Sequence, residues 1–308
     1  MKRILVLGGT GFVGRHFCEK AVALGCRLTV LTRHSVSSKA VQTLPWVDVL
    51  EGDVYDEATL RQLLPGHDAV VNLVAILHGD QQAFTQVHVT LLETLVRACR
   101  ASDVRRIVQV SALGAAPDAP SMYQRSKAQG EAVLLASGLD VSILRPSVIF
   151  GDGDQFLTLF AKLQAVFPVM PLAGASTRFQ PVWVEDVAQA LVNLLTSRAP
   201  GLAIAGRPVI LQACGREVFT LADLVRIAGR LSGHRRPVLP LPSAIGRLQA
   251  MLMEWMPGKT LMSRDNVDSM QVDNVAASGL PGLEALGITA QALMAVAPAY
   301  LQATRPTI

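Results

Sequence analysis

Apolar residues along the chain gather into short runs, and amphipathic stretches separate them. Residues 4–7 form one such run, closed by glycine, and residues 28–31, 47–50, 69–73, 107–110 and 141–144 repeat the pattern. Short, mostly apolar segments without strict polar alternation predict strands covered on both faces, as in a parallel sheet. Between the first two runs, Phe12, Val13, Phe17, Ala21 and Leu24 recur at helical spacing until Gly25 supplies a stop. Helices are likewise predicted over 57–64, where Pro65-Gly66 ends the pattern, over 85–100 and over 126–136. Strands alternating with helices predict an α/β chain, a Rossmann doubly wound parallel sheet.

The rhythm changes after Arg145-Pro146, where Gly151, Gly153, Pro168, Pro171 and Gly174 crowd the sequence. A helix over 184–195 and a strand over 209–211 are expected to return to the sheet. Thr220 and Asp223 have capping-box spacing and open a helix running to about Leu231. Pro237, Pro240 and Pro242 then precede a Met-rich stretch over 245–256. These features predict a Rossmann domain over 1–150 plus about 181–213. A small C-terminal substrate domain is predicted over about 151–180 plus 214–308.

Half of the 308 residues are hydrophobic and 17% are charged, a composition that excludes a disordered chain. The net charge is +4, and its densest basic pairs, Arg105-Arg106 and Arg235-Arg236, lack interleaved aromatics. No nucleic-acid partner is therefore expected. Cys18, Cys26, Cys99 and Cys214 lie far apart without a CxxC, so they read as small buried hydrophobes in a reducing compartment. No apolar run reaches the roughly 18 residues of a membrane span. The basic start at Lys2-Arg3 imitates a signal peptide, but glycines interrupt the apolar stretch, and a cytoplasmic location is expected. The acidic spacing of Gly151-Asp152-Gly153-Asp154 lacks the remaining ligands of a calcium loop and reads as a turn; no metal site is predicted.

The first predicted strand runs into Gly8-Gly9-Thr10-Gly11-Phe12-Val13-Gly14, which opens the first helix. Glycines at this spacing permit a tight turn, close approach of a pyrophosphate to Gly11 and close helix–strand packing at Gly14. The phosphates of a dinucleotide then lie at the positive end of the helix, over Gly8 and residues 10–14. At the second strand's end, where a carboxylate usually selects NAD(H), stand Thr32, Arg33 and His34. Arg33 suits a 2′-phosphate, with Arg15 as a second charge, so NADP(H) is favoured. In the alternative, Arg33 is a solvated strand-end residue and the cofactor is NAD(H). Asp53 and Val54 are expected at the adenine. Leu73, Val74 and Ala75, beyond Asn72, are expected along the ribose and nicotinamide.

Tyr123 and Lys127 stand four apart, on one side of a helix. A nearby ammonium favours the phenolate of a group that is otherwise a poor base at neutral pH. Tyr123 is thus a candidate acid/base and Lys127 its tuner and a ribose anchor.

With the glycine turn, Tyr123 and Lys127 in this order, the chain resembles the extended form of the short-chain dehydrogenase/reductase superfamily. Asp53-Val54, Arg145-Pro146 before Gly151, and residues 184–187 add to the match, which covers about residues 1–230. Residues 71–74, 110–115, 179–182 and 263–267 resemble an atypical branch. It includes sugar-nucleotide-epimerase-like proteins and the nucleotide-binding accessory subunit of mitochondrial respiratory complex I. The resemblance implies a Ser or Thr at the carbonyl-polarising position, often within a serine pair or triplet; here Ser111 is the candidate, and Leu113 is read as occupying the catalytic slot. His88 stands where many relatives carry Asn.

Two functions follow from the resemblance. One is an NADP-dependent oxidoreductase or epimerase/dehydratase-like enzyme on a small hydroxyl or ketone substrate, with Tyr123, Lys127 and Ser111 catalytic. The other is a weakly catalytic or non-catalytic NADPH-binding accessory or sensor protein, docked on a respiratory or membrane complex and peripheral to the inner membrane. Met251, Met253, Trp255 and Met256 are its candidate docking face, although the same residues suit a domain core. A homodimer is implied by the family.

Overall fold

A computed structural model describes residues 1–33, 38–196, 208–255 and 262–302; His34 and Met256 lie outside the described residues. Seven strands build the central sheet: β1 (Arg3–Leu7), β2 (Arg27–Thr32), β3 (Val47–Glu51), β4 (Ala69–Asn72), β5 (Arg106–Val110), β6 (Asp140–Pro146) and β7 (Val209–Ala213). Their order is β3-β2-β1-β4-β5-β6-β7, and every neighbouring pair is parallel. The chain reverses its direction of travel across the sheet between β1 and β4. That switch point leaves a crevice at the carboxyl ends of the strands, where doubly wound sheets bind ligands.

The apolar runs work because successive side chains of a strand point to opposite faces. Ile4 and Val6 of β1 join Leu28, Val30, Val71 and Val108 in one core, under the helices Phe12–Ala23 and Val184–Thr196. Leu5 and Leu7 join Val70, Ile107 and Ile143 in the other, under Glu57–Leu63, Leu91–Ala101 and Met122–Leu135. Each fully buried Leu or Ile contributes about 1.5–3 kcal/mol by leaving water. Glu185 ties the helices of the first face together, accepting from Lys20 Nζ at 2.8 Å and lying 2.5 Å from His16 Nδ1.

Two helix boundaries differ from the sequence expectation. The Tyr–Lys helix begins at Met122, four residues before the predicted start, because Ser121 caps it by accepting from Gln124 N. The segment predicted as one helix over 85–100 comprises Gln81–Thr85, a π-helical turn Gln86–Thr90 and Leu91–Ala101. The first of these is opened by Asp80, whose carboxylate accepts from Ala83 N at 2.8 Å. The capping box of Thr220 and Asp223 forms as expected and starts Leu221–Ser232.

Beyond β6, smaller elements pack around apolar clusters of their own. The helices Leu157–Val166 and Leu221–Ser232 pack together through Leu157, Ala161, Leu224 and Ala228. Met170–Ala173 pairs in parallel with Val238–Leu241, and Arg178–Phe179 pairs antiparallel with Phe219–Thr220. Leu283 and Leu286, late in the chain, return to the first core of the main sheet. Among the described residues, no helix is long and apolar enough to cross a membrane. The acidic turn at 151–154 is held from within: Asp154 accepts from Gly151 N, Phe156 N, Thr158 N and Tyr300 Oη.

Candidate dinucleotide site

The glycine turn leaves β1 at the switch point. Gly8 has φ +81°, a conformation that costs glycine least, and a Cβ there would stand 3.0 Å from the Leu73 carbonyl carbon. The turn and the end of β4 are therefore in backbone contact. Gly14 seats the helix Phe12–Ala23 on the turn, since a Cβ would lie 2.6 Å from the carbonyl carbon and oxygen of Gly9. Gly11 is the helix N-cap, and no side chain caps the first turn. Its N–H groups keep their capacity for an anion at the positive helix end. A narrow glycine cradle, an uncapped helix and a neighbouring strand end fit a pyrophosphate.

Arg33 is exposed just past β2, near Tyr55 and Asp53 at the same end of the sheet. Asp53 Oδ1 accepts from Tyr55 N at 3.0 Å, and Val54 is buried. Arg15 is committed elsewhere: its guanidinium donates to the Asp152 carbonyl and lies over the Phe12 ring. Asn72 Nδ2 donates to Gln109 Oε1 at 2.9 Å, and Asn72 Oδ1 accepts from Val74 N, which fixes the backbone of the β4 end.

Val74, Ser111 and Lys127 line one narrow space together with His88, Gln109 and Glu131. Ser111 is 3% exposed, and its Oγ is buried without a hydrogen-bond partner. Such an orphan costs about 1–3 kcal/mol, which a bound acceptor or donor would recover. Lys127, on the second turn of its helix, donates to the Val110 carbonyl at 3.3 Å, and its ammonium lies 5.8 Å from the Tyr123 ring centroid. Burial lowers Lys127 to about 8, with Glu131 opposing the shift. Glu131 is in turn clamped by Arg145, whose Nε donates to Oε1 at 2.8 Å.

The Tyr123 phenol departs from the expectation drawn from its spacing to Lys127. Burial holds it above its ordinary value, so the proton stays on the phenol oxygen at neutral pH. Phe84 and His88 pack edge-on to the Tyr123 ring. His88 is a neutral strut: Ile76 N donates to Nε2, Nδ1 lies 2.8 Å from Ser126 Oγ, and Ser126 Oγ donates to the Tyr123 carbonyl. Burial and Lys127 together push His88 down to about 2.

Sequence reasoning missed one residue that positions this helix. Asp265 accepts from Met122 N at 2.5 Å and from Tyr123 N at 3.1 Å, placing a buried carboxylate on the helix N-terminus. Its only signal in the sequence was membership in the segment 263–267. Leu113 is buried and donates its N–H to the Pro146 carbonyl.

Comparison with known proteins agrees with this geometry. A family model described as NAD(P)H-binding matches residues 8–198. A mouse mitochondrial NADH dehydrogenase [ubiquinone] 1 alpha subcomplex subunit 9 is 28% identical over 291 residues, covering 92% of this chain and 75% of its own. A ceramide reductase of Caulobacter vibrioides is 30% identical over 241 residues, covering 78% and 73%. Among solved structures, a dTDP-glucose 4,6-dehydratase double mutant from Streptomyces venezuelae superposes with a TM-score of 0.74 at 21% identity, over 97% of this chain and 96% of that one. That likeness concerns the fold. From its glycine cradle, its strand order and the match across residues 8–198, the chain belongs to the NAD(P)H-binding family, with the extended short-chain dehydrogenase/reductase architecture.

Proposed function

We propose that the chain is an NADP(H)-dependent oxidoreductase that interconverts a carbonyl and a hydroxyl group on a small molecule. The observation that carries this reading is a buried ammonium that shares one space with an unpaired serine hydroxyl and with Val74, whose backbone borders the glycine turn. That ammonium lies 5.8 Å from the ring centroid of a phenol kept protonated by burial. The bound nicotinamide supplies the hydride. In the reductive direction, Tyr123 Oη gives its proton to the substrate oxygen, and the Lys127 ammonium steadies the phenolate left behind. Ser111 Oγ donates to the same oxygen and polarises the carbonyl. Asp265 and Ser121 hold the first turn that carries Tyr123, while the Glu131–Arg145 pair fixes the wall behind Lys127. The substrate-binding unit is read as residues 151–180 and 214–308.

Preference for NADP(H) rests on Arg33, which is exposed at the β2 end and faces no acidic strand-end residue at 32–34. A charge-assisted contact to the 2′-phosphate contributes about 1.5–3 kcal/mol. Arg33→Ala should therefore weaken NADPH by about 10–100-fold and NADH by less than about threefold, read from nucleotide titrations. Equal losses would assign the site to NAD(H).

A second reading has its own support in the mouse relative named as a subunit of NADH dehydrogenase. Here the chain keeps the nucleotide as a structural or sensing ligand on a respiratory complex, and Leu113 in place of a second serine leaves turnover slow. Purification from native membranes separates the two readings. A stable complex with respiratory subunits and no turnover supports the second; a free chain with multiple turnovers supports the first.

A further inference from the structure

The Arg235-Arg236 pair finds no role in the nucleotide site, and the fold places it beside two further arginines. Leu221–Ser232 buries Leu221, Leu224, Val225 and Ala228, which leaves Arg226 and Arg230 exposed one turn apart on the outer face. The helix ends at Gly233, in the left-handed conformation at φ +83°, and Arg235 and Arg236 come to the same cavity. The four guanidiniums line one cavity of about 540 Å³, whose floor includes the wholly buried Gln164. No residue lining it is shared with the space around Ser111 and Lys127.

The charges are poorly compensated. Asp223 is the acidic residue of the lining, and it already serves Thr220 as a cap and Arg226 as an ion-pair partner at 3.1 Å. Arg236 Nε donates to the Gln164 backbone carbonyl, which fixes one guanidinium at the cavity wall. Among the described residues, Arg230 Nη2 donates to the Met294 sulfur at 3.8 Å. Four like charges on one wall repel one another, and a multiply charged anion offsets that repulsion. Arginine's fork of donors matches phosphate oxygens two at a time. Gln164 belongs to the packing beneath this wall: its Nε2 donates to the Val225 carbonyl at 2.8 Å, and its Oε1 is turned toward Gly229. Gly229 makes room for that oxygen, since a Cβ there would lie 2.7 Å from Gln164 Cδ. Phe219 and Ile227 give the cavity an apolar wall.

We infer that the cavity between Leu221–Ser232 and the 235–236 segment is a second anion site, which takes a phosphate group, independent of the dinucleotide. Such a phosphate is either free in solution or presented as a lipid headgroup.

The test uses the full chain saturated with NADPH, so that the glycine turn is occupied. Glycerol 3-phosphate and inorganic pyrophosphate are titrated by calorimetry. Sedimentation with vesicles of 30 mol% phosphatidylglycerol in phosphatidylcholine forms the second arm. Arg230→Ala/Arg235→Ala removes two exposed guanidiniums, and Arg61→Ala/Arg97→Ala removes two equally exposed ones elsewhere as a charge-matched control. Saturable binding of either soluble phosphate, weakened at least tenfold by the first pair and less than twofold by the second, supports the site and identifies a free ligand. Binding confined to the vesicles with the same mutant pattern supports it and identifies a headgroup. Absence of saturable binding in both arms, or equal loss in both double variants, overturns it.

Discussion

Tyr123→Phe should keep NADPH binding within about twofold of wild type and lower turnover on a verified substrate by about 10²–10⁴-fold, the range for loss of one general acid. The hydroxyl is removed while the ring stays, so the packing of Phe84 and His88 against it survives. The change therefore acts on proton delivery rather than on the helix, which Ser121 and Asp265 hold from its N-terminus. A pH profile adds a second readout. Lys127 is lowered to about 8 by burial, so the cation is present below that pH and lost as pH rises through it. In the reductive direction, turnover that depends on the ammonium is full at lower pH and falls above about 8. A Tyr123→Phe enzyme that turns over at the wild-type rate would remove the acid/base assignment.

Gly14→Ala should abolish measurable NADPH binding, a loss of at least about 100-fold, and destabilise the fold by about 1–3 kcal/mol, as overpacking does. The added methyl meets the backbone of Gly8 and Gly9, and backbone cannot swing aside as a flexible side chain does. The helix start must then shift away from the turn, and the uncapped N–H groups at Gly11 move with it. Nucleotide titration gives the first number and urea unfolding the second. A Gly14→Ala protein with wild-type affinity would mean that the nucleotide does not sit on this turn.

Both predictions use residues legible in the sequence, and the reason is local. Glycine spacing after an apolar run is dictated by the backbone contacts it must allow, and Tyr123 with Lys127 needs only one helix to share a side. The sheet was legible for the same reason, because Ile4 and Val6 separate from Leu5 and Leu7 by strand alternation alone. Long-range partners were not legible. Asp265 reaches Tyr123 N from 142 residues away, and no periodicity announces that pairing. Glu131 stands four residues from Lys127, a visible spacing, but its clamp by Arg145 depends on β6 lying under the helix. The direction of the Tyr123 shift also required the fold, since spacing reveals the ammonium and conceals the desolvation. The arginine cavity is the same case: Arg226 and Arg230 share a helical face, but the chain's course after Gly233 brings Arg235 and Arg236 to it.

The central claim is that one NADP(H) sits on the glycine turn at the β1/β4 switch point, with Arg33 at its 2′-phosphate. The measurement that tests it most directly is mass-spectrometric quantitation of the nucleotide retained by wild type, Arg33→Ala and Gly14→Ala after incubation with equal NADPH and NADH and rapid gel filtration. The account predicts close to one NADPH per wild-type chain, a shift toward NADH in Arg33→Ala and no nucleotide in Gly14→Ala. Retention of NADH alone by wild type, or of NADPH by Gly14→Ala at the wild-type level, would contradict it.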